Sequence, residues 1–462
     1  MSEVARWPMT VALGALLTGE LDEKRLVEAV TEAVMAHPLA HARLAPSPAW
    51  SRHAYWEIPD ELDLNPVVSG LSAAELLSTP IELSTSPPLR VALWKDIPDG
   101  WGLPAPSSEP PHPGPAPGSS GPGPGPGGTS IAIVCNHAAF DGVGLIRMLD
   151  ATLSAYAGVR LRSEASDLAD LEQRGPRTSD SAGSRPAGRA TKSAPGRPWR
   201  PSLKISGDGD PGASGYGIMV IETDPPRLPE ALPRAGAVAR PTVNDVLVAA
   251  LHLAIASWAS GRQRSGRLSL ALADSGLVSV VVPVYLGGRD GPEPPVANAT
   301  LQTTTFSTPA ERSEPRLLLQ AIAAQTHYAK EGRAVRDPTG VLHALALAPY
   351  RIRSLLPPLV GRITNDFFAA SARLSNLGVQ EPRPHIGSGP AGEGPSPASG
   401  APVVERLWFS PPCRPPQGIV LGAVTTNGRL SLSARWCRSA FSDSDARCFL
   451  ELYLQELQRL QA

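Results

Sequence analysis

Proline and glycine decide which parts of this chain can form a folded core. The 462 residues include 51 prolines and 43 glycines, and both are concentrated in a few stretches. The stretch 104–128 consists almost wholly of Pro, Gly, Ala and Ser, and it buries too little apolar surface to offset the entropy that ordering costs. We therefore predict a disordered insert at 104–128 and a flexible loop at 387–400. The strands predicted at 88–94 and 130–135 should then pair, with the insert in the loop between them.

The sequence outside these stretches divides into two halves. The apolar periodicity disappears again over 161–205, where Arg, Ser, Pro and Gly dominate. This segment is predicted to link an N-terminal lobe, 1–160, to a C-terminal lobe, 206–462, each long enough for a core of its own. Strand-like and helix-like patterns alternate in both halves. Such alternation is typical of α/β (α+β) lobes built on a mixed β-sheet with flanking helices.

Three local signals predict individual elements. Asp22 can cap a helix whose apolar residues recur at helical spacing. Thr242 and Asp245 have the spacing of a capping box at the start of a second helix. The dipeptide formed by Asn427 and Gly428 separates two apolar runs, which favours the two-residue turn of a β-hairpin.

Charge and cysteine usage exclude several classes of function. Lys plus Arg (42) nearly balance Asp plus Glu (43), and a formal net charge of -1 attracts neither nucleic acid nor an anionic membrane surface. The four cysteines form no CxxC pair, which favours free thiols in a reducing compartment over disulfides or a zinc site. No apolar run reaches the roughly 20 residues that cross a bilayer. We predict a cytoplasmic protein without an integral membrane segment.

The stretch 131–144, Ile-Ala-Ile-Val-Cys-Asn-His-Ala-Ala-Phe-Asp-Gly-Val-Gly, carries the clearest chemistry. A buried strand delivers His137 to its end, where one ring nitrogen can face a substrate while local structure fixes the other. An imidazole with an unperturbed pKa of about 6.5 accepts a proton from a hydroxyl or an amine at neutral pH. Asp141 can hold an arginine or cap the following helix, and Gly142 permits a tight turn.

Other chemistries are open to the same residues. Cys135 lies two positions from His137 and could form a nucleophilic Cys/His pair, but neighbours on one strand seldom align for proton transfer. A metal held by His137 and Asp141 would lack further clustered ligands. Farther along the chain, Ser375 and Asn376 could donate hydrogen bonds to an oxyanion or could serve a turn, and both roles stay open.

The heptapeptide Asn-His-Ala-Ala-Phe-Asp-Gly at 136–142 resembles the HHxxxDG signature of the chloramphenicol-acetyltransferase-like superfamily. Condensation domains of nonribosomal peptide synthetases, wax ester synthases/diacylglycerol acyltransferases and polyketide-associated acyltransferases carry this signature, and plant BAHD acyltransferases share its HxxxD part. Four further segments resemble the superfamily in the same order: His-Pro-Leu-Ala-His-Ala-Arg-Leu at 37–44, Thr-Val-Asn-Asp-Val at 242–246, Val-Pro-Val at 282–284 and Leu-Ser-Asn-Leu-Gly at 374–378. The resemblance therefore covers nearly the whole chain apart from the low-complexity inserts.

This resemblance implies two lobes around a central tunnel, and an enzyme that moves an acyl group from a thioester to a hydroxyl or an amine. His137 would be the general base, and the Asp141 carboxylate would hold an arginine. The implied roles are catalytic for His137 and Asp141, structural at the site for Gly142, Asn136 and Arg289, and tunnel-lining for Ser375 and Asn376. No cofactor or metal is implied. The donor is acyl-CoA or an acyl carrier protein, and the latter would then be a partner.

One departure from the signature keeps two alternatives open. Asn136 stands where HHxxxDG has its first histidine, although the BAHD branch of the superfamily transfers acyl groups with HxxxD alone. The first alternative is an amide-forming, condensation-like enzyme with carrier-bound substrates. The second is a non-catalytic binding protein of the same fold, and the retained His137, Asp141 and Gly142 argue against it.

Overall fold

The computed structural model of the chain describes residues 8–18, 21–46, 55–59, 66–94, 101–104, 129–161, 202–228, 240–263, 276–285, 300–331, 370–381, 402–415 and 417–461. The predicted insert after residue 104, most of the predicted linker, the loop at 387–400 and Arg289 lie outside these ranges. In chain order the elements are β1 (Thr10–Thr18), α1 (Glu23–Ala36), α2 (Pro38–His41), β2 (Arg43–Leu44), β3 (Trp56–Glu57), β4 (Val67–Val68), α3 (Ala73–Ser78), β5 (Leu89–Trp94), β6 (Trp101–Pro104), β7 (Thr129–Asn136), α4 (Gly142–Tyr156), β8 (Tyr216–Thr223), α5 (Val243–Gln263), β9 (Val278–Tyr285), β10 (Thr300–Ser307), α6 (Pro309–Arg312), α7 (Pro315–Lys330), β11 (Ala372–Val379), β12 (Val403–Ser410), β13 (Ile419–Thr426), β14 (Arg429–Cys437) and α8 (Asp443–Arg459).

A five-stranded sheet carries the histidine motif. Its strand order is β12-β1-β7-β5-β4, with β1 antiparallel to β7 and β12, and β5 antiparallel to β7 but parallel to β4. Helices α1 and α4 cover one face of the sheet, and they contribute Val30, Val34, Leu145 and Leu149 to its core. The alternating apolar pattern of the first half thus produces a mixed sheet with flanking helices, as predicted.

A seven-stranded sheet, in the order β10-β9-β11-β13-β14-β8-β6, forms the second half of the fold. β11 runs parallel to β9 and to β13, and the β13–β14 and β14–β8 pairs are antiparallel, so this sheet is mixed as well. Helices α5, α7 and α8 build its core, where Trp258, Phe441 and Phe449 pack with ring centroids 5.6 to 6.3 Å apart. The predicted fold class, two α/β units with mixed sheets, is confirmed.

Each sheet includes one strand from the other half of the chain. β12 lies late in the sequence but pairs with β1 at the edge of the first sheet. β6 lies between two strands of the first sheet but pairs with β8 at the edge of the second. The sequence does not predict this exchange, because the pairing of a short strand with a distant partner leaves no local pattern.

The local signals predicted their elements correctly. The Asp22 side chain accepts a hydrogen bond from Arg25 N and begins α1. The Thr242 amide and hydroxyl both donate to Asp245 Oδ2, at 2.7 and 2.8 Å, at the start of α5. β5 pairs with β7 as predicted, and the β13–β14 hairpin turns through Asn427 and Gly428 with φ of 49° and 73°.

Helix α5 is long and apolar enough to cross a membrane. Its window Val243–Gly261 has a hydropathy of 1.4, and 61% of the window is buried inside the fold. It is the one helix in the described ranges that meets this test of length and composition. The contacts of α5 with β9 and with α7 and α8 make it the central helix of the second core.

The second core also buries a histidine, His252, inside α5. Its Nδ1 and Nε2 atoms lie 2.8 and 3.0 Å from the hydroxyl oxygens of Ser307 and Thr305 in β10. Burial, followed by the positive charge of Arg312, lowers the pKa of His252 to about 3. Both ring nitrogens therefore bond to side chains of the core, which gives His252 a structural role.

We expect the protein to lose stability as the pH falls below about 6.5, the ordinary pKa of histidine. The unfolded chain binds a proton there that the buried His252 does not bind until about pH 3. Linkage makes the free energy of unfolding rise with pH across this window, by about 1 kcal/mol for each pH unit. Denaturant titrations at several pH values would measure this dependence. His252→Gln should flatten the plot of unfolding free energy against pH, and His327→Gln on the surface of α7 should leave it unchanged. The same slope in His252→Gln and in the wild type would contradict this assignment.

Candidate active site

His137 lies one residue beyond the end of β7 and is partly buried. Its backbone N–H donates to the carbonyl of Met9 at 2.8 Å, which ties the residue to the start of β1. Its Nδ1 atom lies 2.9 Å from the carbonyl oxygen of Phe140. A carbonyl oxygen can only accept, so Nδ1 carries a proton, and in the neutral imidazole the lone pair is then on Nε2. The side chain therefore presents a basic nitrogen.

Asn136 builds the turn that follows the strand. Its Oδ1 accepts from Ala138 N at 3.0 Å, and its backbone carbonyl accepts from Ala139 N at 3.0 Å. An asparagine side chain commonly makes such a bond two residues on, and a histidine in its place would lack the carbonyl oxygen that accepts here. The residue that departs from HHxxxDG thus shapes the loop that carries His137, in line with the structural role that the resemblance implies.

Asp141 is the N-cap of helix α4. It is only 6% exposed, and its Oδ1 accepts from Gly144 N at 2.9 Å. A carboxylate at this position satisfies a free backbone N–H group and interacts favourably with the helix dipole. Of the two roles that the sequence allows, the structure shows the cap. The pairing of Asp141 with Arg289 stays a prediction, since Arg289 lies outside the described residues.

Asp141→Ala should lower the free energy of unfolding by about 0.5–2 kcal/mol, the usual cost of losing an N-cap. Turnover should fall as well, because α4 begins five residues after His137 and anchors its loop. Chemical denaturation of Asp141→Ala and Asp141→Asn would test this. Asparagine is also a good cap, so Asp141→Asn should recover most of the stability. A loss far above 2 kcal/mol in both variants would instead indicate a lost ion pair, such as the one with Arg289.

Cys135 is not arranged as a nucleophile. It is fully buried, and burial, followed by the negative charge of Asp141, raises the pKa of its thiol well above the ordinary value. Its Sγ lies 4.0 Å from the Phe140 carbonyl oxygen to which His137 Nδ1 also donates, so Nδ1 cannot act as a base for this thiol. In the described part of the chain, no three His, Cys, Asp or Glu side chains form a group that could hold a metal.

Gly142 lies where the histidine motif meets the second half of the chain. A Cβ atom added to it would fall 2.5 Å from Leu377 Cδ2 and 2.8 Å from Phe409 Cε2. Leu377 is in β11, within the segment that resembles the tunnel wall of the superfamily, and Phe409 is in the exchanged strand β12. The absence of a side chain at Gly142 therefore lets two segments that the sequence singled out come into contact.

Ser375 and Asn376 immediately precede Leu377 in β11. Ser375 is buried, and Asn376 Oδ1 accepts from Gly378 N at 2.8 Å, where Gly378 has a φ of 75°. The register of β11 against β13 shifts between Asn376 and Val379. Asn376 therefore fills the turn role through its Oδ1. The oxyanion role of the side-chain NH₂ group and of Ser375 Oγ stays a prediction.

Two contacts of the site have no counterpart in the sequence signals. The carbonyl that holds His137 belongs to the backbone of Phe140, and any residue at that position supplies one. Phe409 reaches Gly142 only because β12 joins the first sheet. A fold-level alignment could have revealed the second contact, whereas no residue type predicts the first.

The described residues also line a groove of about 840 Å³ between α3, β5, β8 and the start of α8. Trp94 and Trp436 form part of its wall. Trp94 pairs with Ser130 at the opposite end of β7 from Asn136. The groove therefore lies at the other end of the first sheet from His137, and the candidate active site rests on the motif geometry instead.

Solved structures share this arrangement of two sheets. Trichothecene 15-O-acetyltransferase TRI3 from Fusarium sporotrichioides aligns with a TM-score of 0.55 at 12% identity, over 99% of this chain and 92% of that one. The condensation domain of the Monacolin K polyketide synthase MokA gives 0.52 at 13% identity, over 99% and 94%. The starter condensation domain of rhizomide synthetase RzmA gives 0.52 at 12% identity, over 98% and 90%.

The chain therefore shares its fold with an acetyltransferase and with condensation domains, which is the fold that the resemblance implies. No family model matches the chain. Among individual proteins, the uncharacterized protein Rv2305 of Mycobacterium tuberculosis (strain ATCC 25618 / H37Rv) is 26% identical over 427 residues, which are 87% of this chain and 83% of Rv2305.

Proposed function

We propose that the protein is an acyltransferase that moves an acyl group from a thioester to a hydroxyl or amine acceptor, with His137 as general base. The observation that carries the proposal is the bond from His137 Nδ1 to the Phe140 carbonyl, which leaves Nε2 as a base at the end of a buried strand. Two further observations support it. The site contacts β11 of the second half through Gly142 and Leu377, and the fold is shared with an acetyltransferase and with condensation domains.

In the proposed reaction, Nε2 of His137 takes the proton of the acceptor hydroxyl or amine as that group attacks the thioester carbonyl. A tetrahedral oxyanion forms, and Ser375 Oγ and the Asn376 NH₂ group would donate to it. The carbon–sulfur bond then breaks, and the imidazolium returns the proton to the leaving thiolate. Atoms and charges balance without a redox partner. A positioned base of this kind contributes about 10²–10⁴-fold to the rate.

The second candidate is a condensation-like enzyme that forms an amide from a carrier-bound acyl group. The fold shared with the MokA and RzmA condensation domains favours it. The two candidates use His137 in the same way and differ in the donor and the acceptor. The central tunnel, a cytoplasmic location and an acyl carrier protein as partner belong to these proposals and await their own measurements.

The test compares donors under one readout, the release of free thiol. Purified protein is offered acyl-CoAs of increasing chain length and, in parallel, the same acyl groups on a phosphopantetheinylated carrier protein, with alcohol or amine acceptors. Acceptor-dependent thiol release from acyl-CoA would support the first candidate, and release from the carrier alone would support the second. If no donor and acceptor pair reacts although a thioester binds, the non-catalytic alternative is correct.

A further inference from the structure

A fully buried arginine, Arg435, connects the two sheets. Its side chain leaves β14 of the second sheet and reaches the start of the first sheet, where Nη1 donates to the carbonyl of Thr10 at 2.7 Å. Its Nη2 donates to Thr10 Oγ1 at 2.8 Å and to the carbonyl of Leu77 at 3.2 Å. The residue is 0% exposed, and none of its partners in the described ranges is a carboxylate.

Tyr216 in β8 completes this contact. Its ring lies against the guanidinium of Arg435. The Cζ atom of Arg435 is 3.8 Å from the centroid of the Tyr216 ring, which is a favourable cation–π geometry. Its hydroxyl lies 2.9 Å from the carbonyl oxygen of Pro8 and 2.7 Å from that of Cys413. Arg435 and Tyr216 together hold the backbone of residues 8–10 from the side of the second sheet.

The same three residues hold the histidine motif from the other side. The backbone N–H of His137 donates to the carbonyl of Met9 at 2.8 Å, and Thr10 pairs with Asn136 in the β1–β7 register. His137 is therefore one backbone hydrogen bond away from Met9. The second sheet contacts the residues on both sides of Met9, which are Pro8 and Thr10.

A buried cation is an expensive way to join two sheets. Burial disfavours the charged form of each side chain, so it lowers the pKa of Arg435 and raises the pKa of Tyr216. Apolar residues of similar volume often stabilise a fold as well as a buried charged group does. What an arginine adds is a planar group of N–H donors in a fixed geometry, and the three bonds from Nη1 and Nη2 end on residues of β1 and α3.

We infer that Arg435 and Tyr216 are positioning residues, which hold residues 8–10 so that the imidazole of His137 lies at the correct place relative to the second half of the site. The inference deepens the proposed function, on which it rests. Neither side chain is assigned a contact with substrate. Their effect on catalysis acts through the backbone of Met9 and Thr10.

Tyr216→Phe is the cleanest test, because it keeps the ring against Arg435 and removes only the hydroxyl, which shares its one proton between the carbonyls of Pro8 and Cys413. Tyr453→Phe is the matched control. Tyr453 is also fully buried, and its hydroxyl donates to the carbonyl of Leu247 at 3.3 Å, within the core of the second sheet. Both variants lose one buried hydroxyl, and only one of them touches residues 8–10.

We expect Tyr216→Phe to lower kcat about tenfold or more, since a small misplacement of a catalytic group is costly, while the donor's Kd stays unchanged. Tyr453→Phe should lower the melting temperature by as much as Tyr216→Phe does, but its kcat should equal that of the wild type. Hydrogen exchange should also become faster at the His137 amide in Tyr216→Phe and not in Tyr453→Phe. Arg435→Met, if it folds, should show a larger loss of kcat in the same pattern.

Two outcomes separate this inference from the proposed function. If the wild type is active and His137→Ala is not, then wild-type kcat and wild-type exchange at His137 in Tyr216→Phe would overturn the inference and leave the function standing. If the wild type transfers no acyl group, the proposed function fails. The exchange of the His137 amide then decides alone whether Tyr216 holds this segment.

Discussion

Replacing His137 with alanine is expected to lower kcat by at least about 10²-fold while the donor's Kd stays unchanged. In the proposed mechanism the imidazole only moves the proton of the acceptor to the leaving thiolate, and the donor would bind to other parts of the site. Alanine loses the bond from Nδ1 to the Phe140 carbonyl but keeps the bond from the backbone N–H to the Met9 carbonyl, which ties this residue to β1. The side chain is partly buried at a strand end, so its removal should leave the melting temperature within a few degrees of that of the wild type.

The measurement needs a donor from the thiol-release screen, followed by steady-state kinetics and calorimetric titration of the donor. His327→Ala is the control, because that histidine is partly exposed on α7 and pairs with Glu331 on the same helix. It should retain full turnover. Wild-type-like turnover in His137→Ala would remove the general base from the mechanism. Another residue would then have to take the proton of the acceptor.

Gly422→Ala is expected to cause a large loss in the free energy of unfolding. The new Cβ would lie 2.0 Å from the carbonyl oxygen of Phe409 and 2.6 Å from Ser433 Oγ. The first of these is a backbone atom of β12 and cannot rotate away, so β12 or β13 must move. Overpacking commonly costs about 1–3 kcal/mol, and a contact with rigid backbone places this variant at or above the upper end.

Gly261→Ala is the matched control for the same chemical change. It lies in helix α5, and apart from the helix's own backbone no heavy atom of the described residues lies within 4 Å of the added Cβ, so alanine should be neutral or stabilising by up to about 1 kcal/mol. Urea titration of both variants would measure the difference. Turnover should also fall in Gly422→Ala, since Phe409 packs against Gly142. A Gly422→Ala protein as stable as the wild type would show that the two strands are farther apart than described.

Signals that act within a few residues could be predicted from the sequence. Asp22 and the pair of Thr242 and Asp245 each make hydrogen bonds over three residues, and the turn at Asn427 needs only a positive φ, so their residue types carry that information. The exchanged strands could not be predicted in this way. The pairing of β12 with β1 depends on which edge is available after the rest of the chain has folded.

The candidate site divides along the same line. The placement of His137 at a strand end and of Asp141 at a helix cap follows from the local pattern of strand, turn and helix. The contacts that support these residues from the second sheet do not follow from the local pattern. Arg435 looks like an ordinary polar residue of an alternating strand, and its burial at 0% exposure arises only when the two sheets face each other. Similarly, Gly142 suggests a turn, whereas its main constraint is the approach of Leu377.

The exchange of strands β6 and β12 bears on how substrates could enter. Two units that hold each other's edge strands are interlocked, since separating them breaks the ladders of β1 with β12 and of β8 with β6. A wide hinge opening, of the kind that admits ligands to many two-domain proteins, is therefore costly for this chain. For the same reason, a protease cut between the halves would not release them. A half produced alone would expose an unpaired strand edge, which favours aggregation over independent folding.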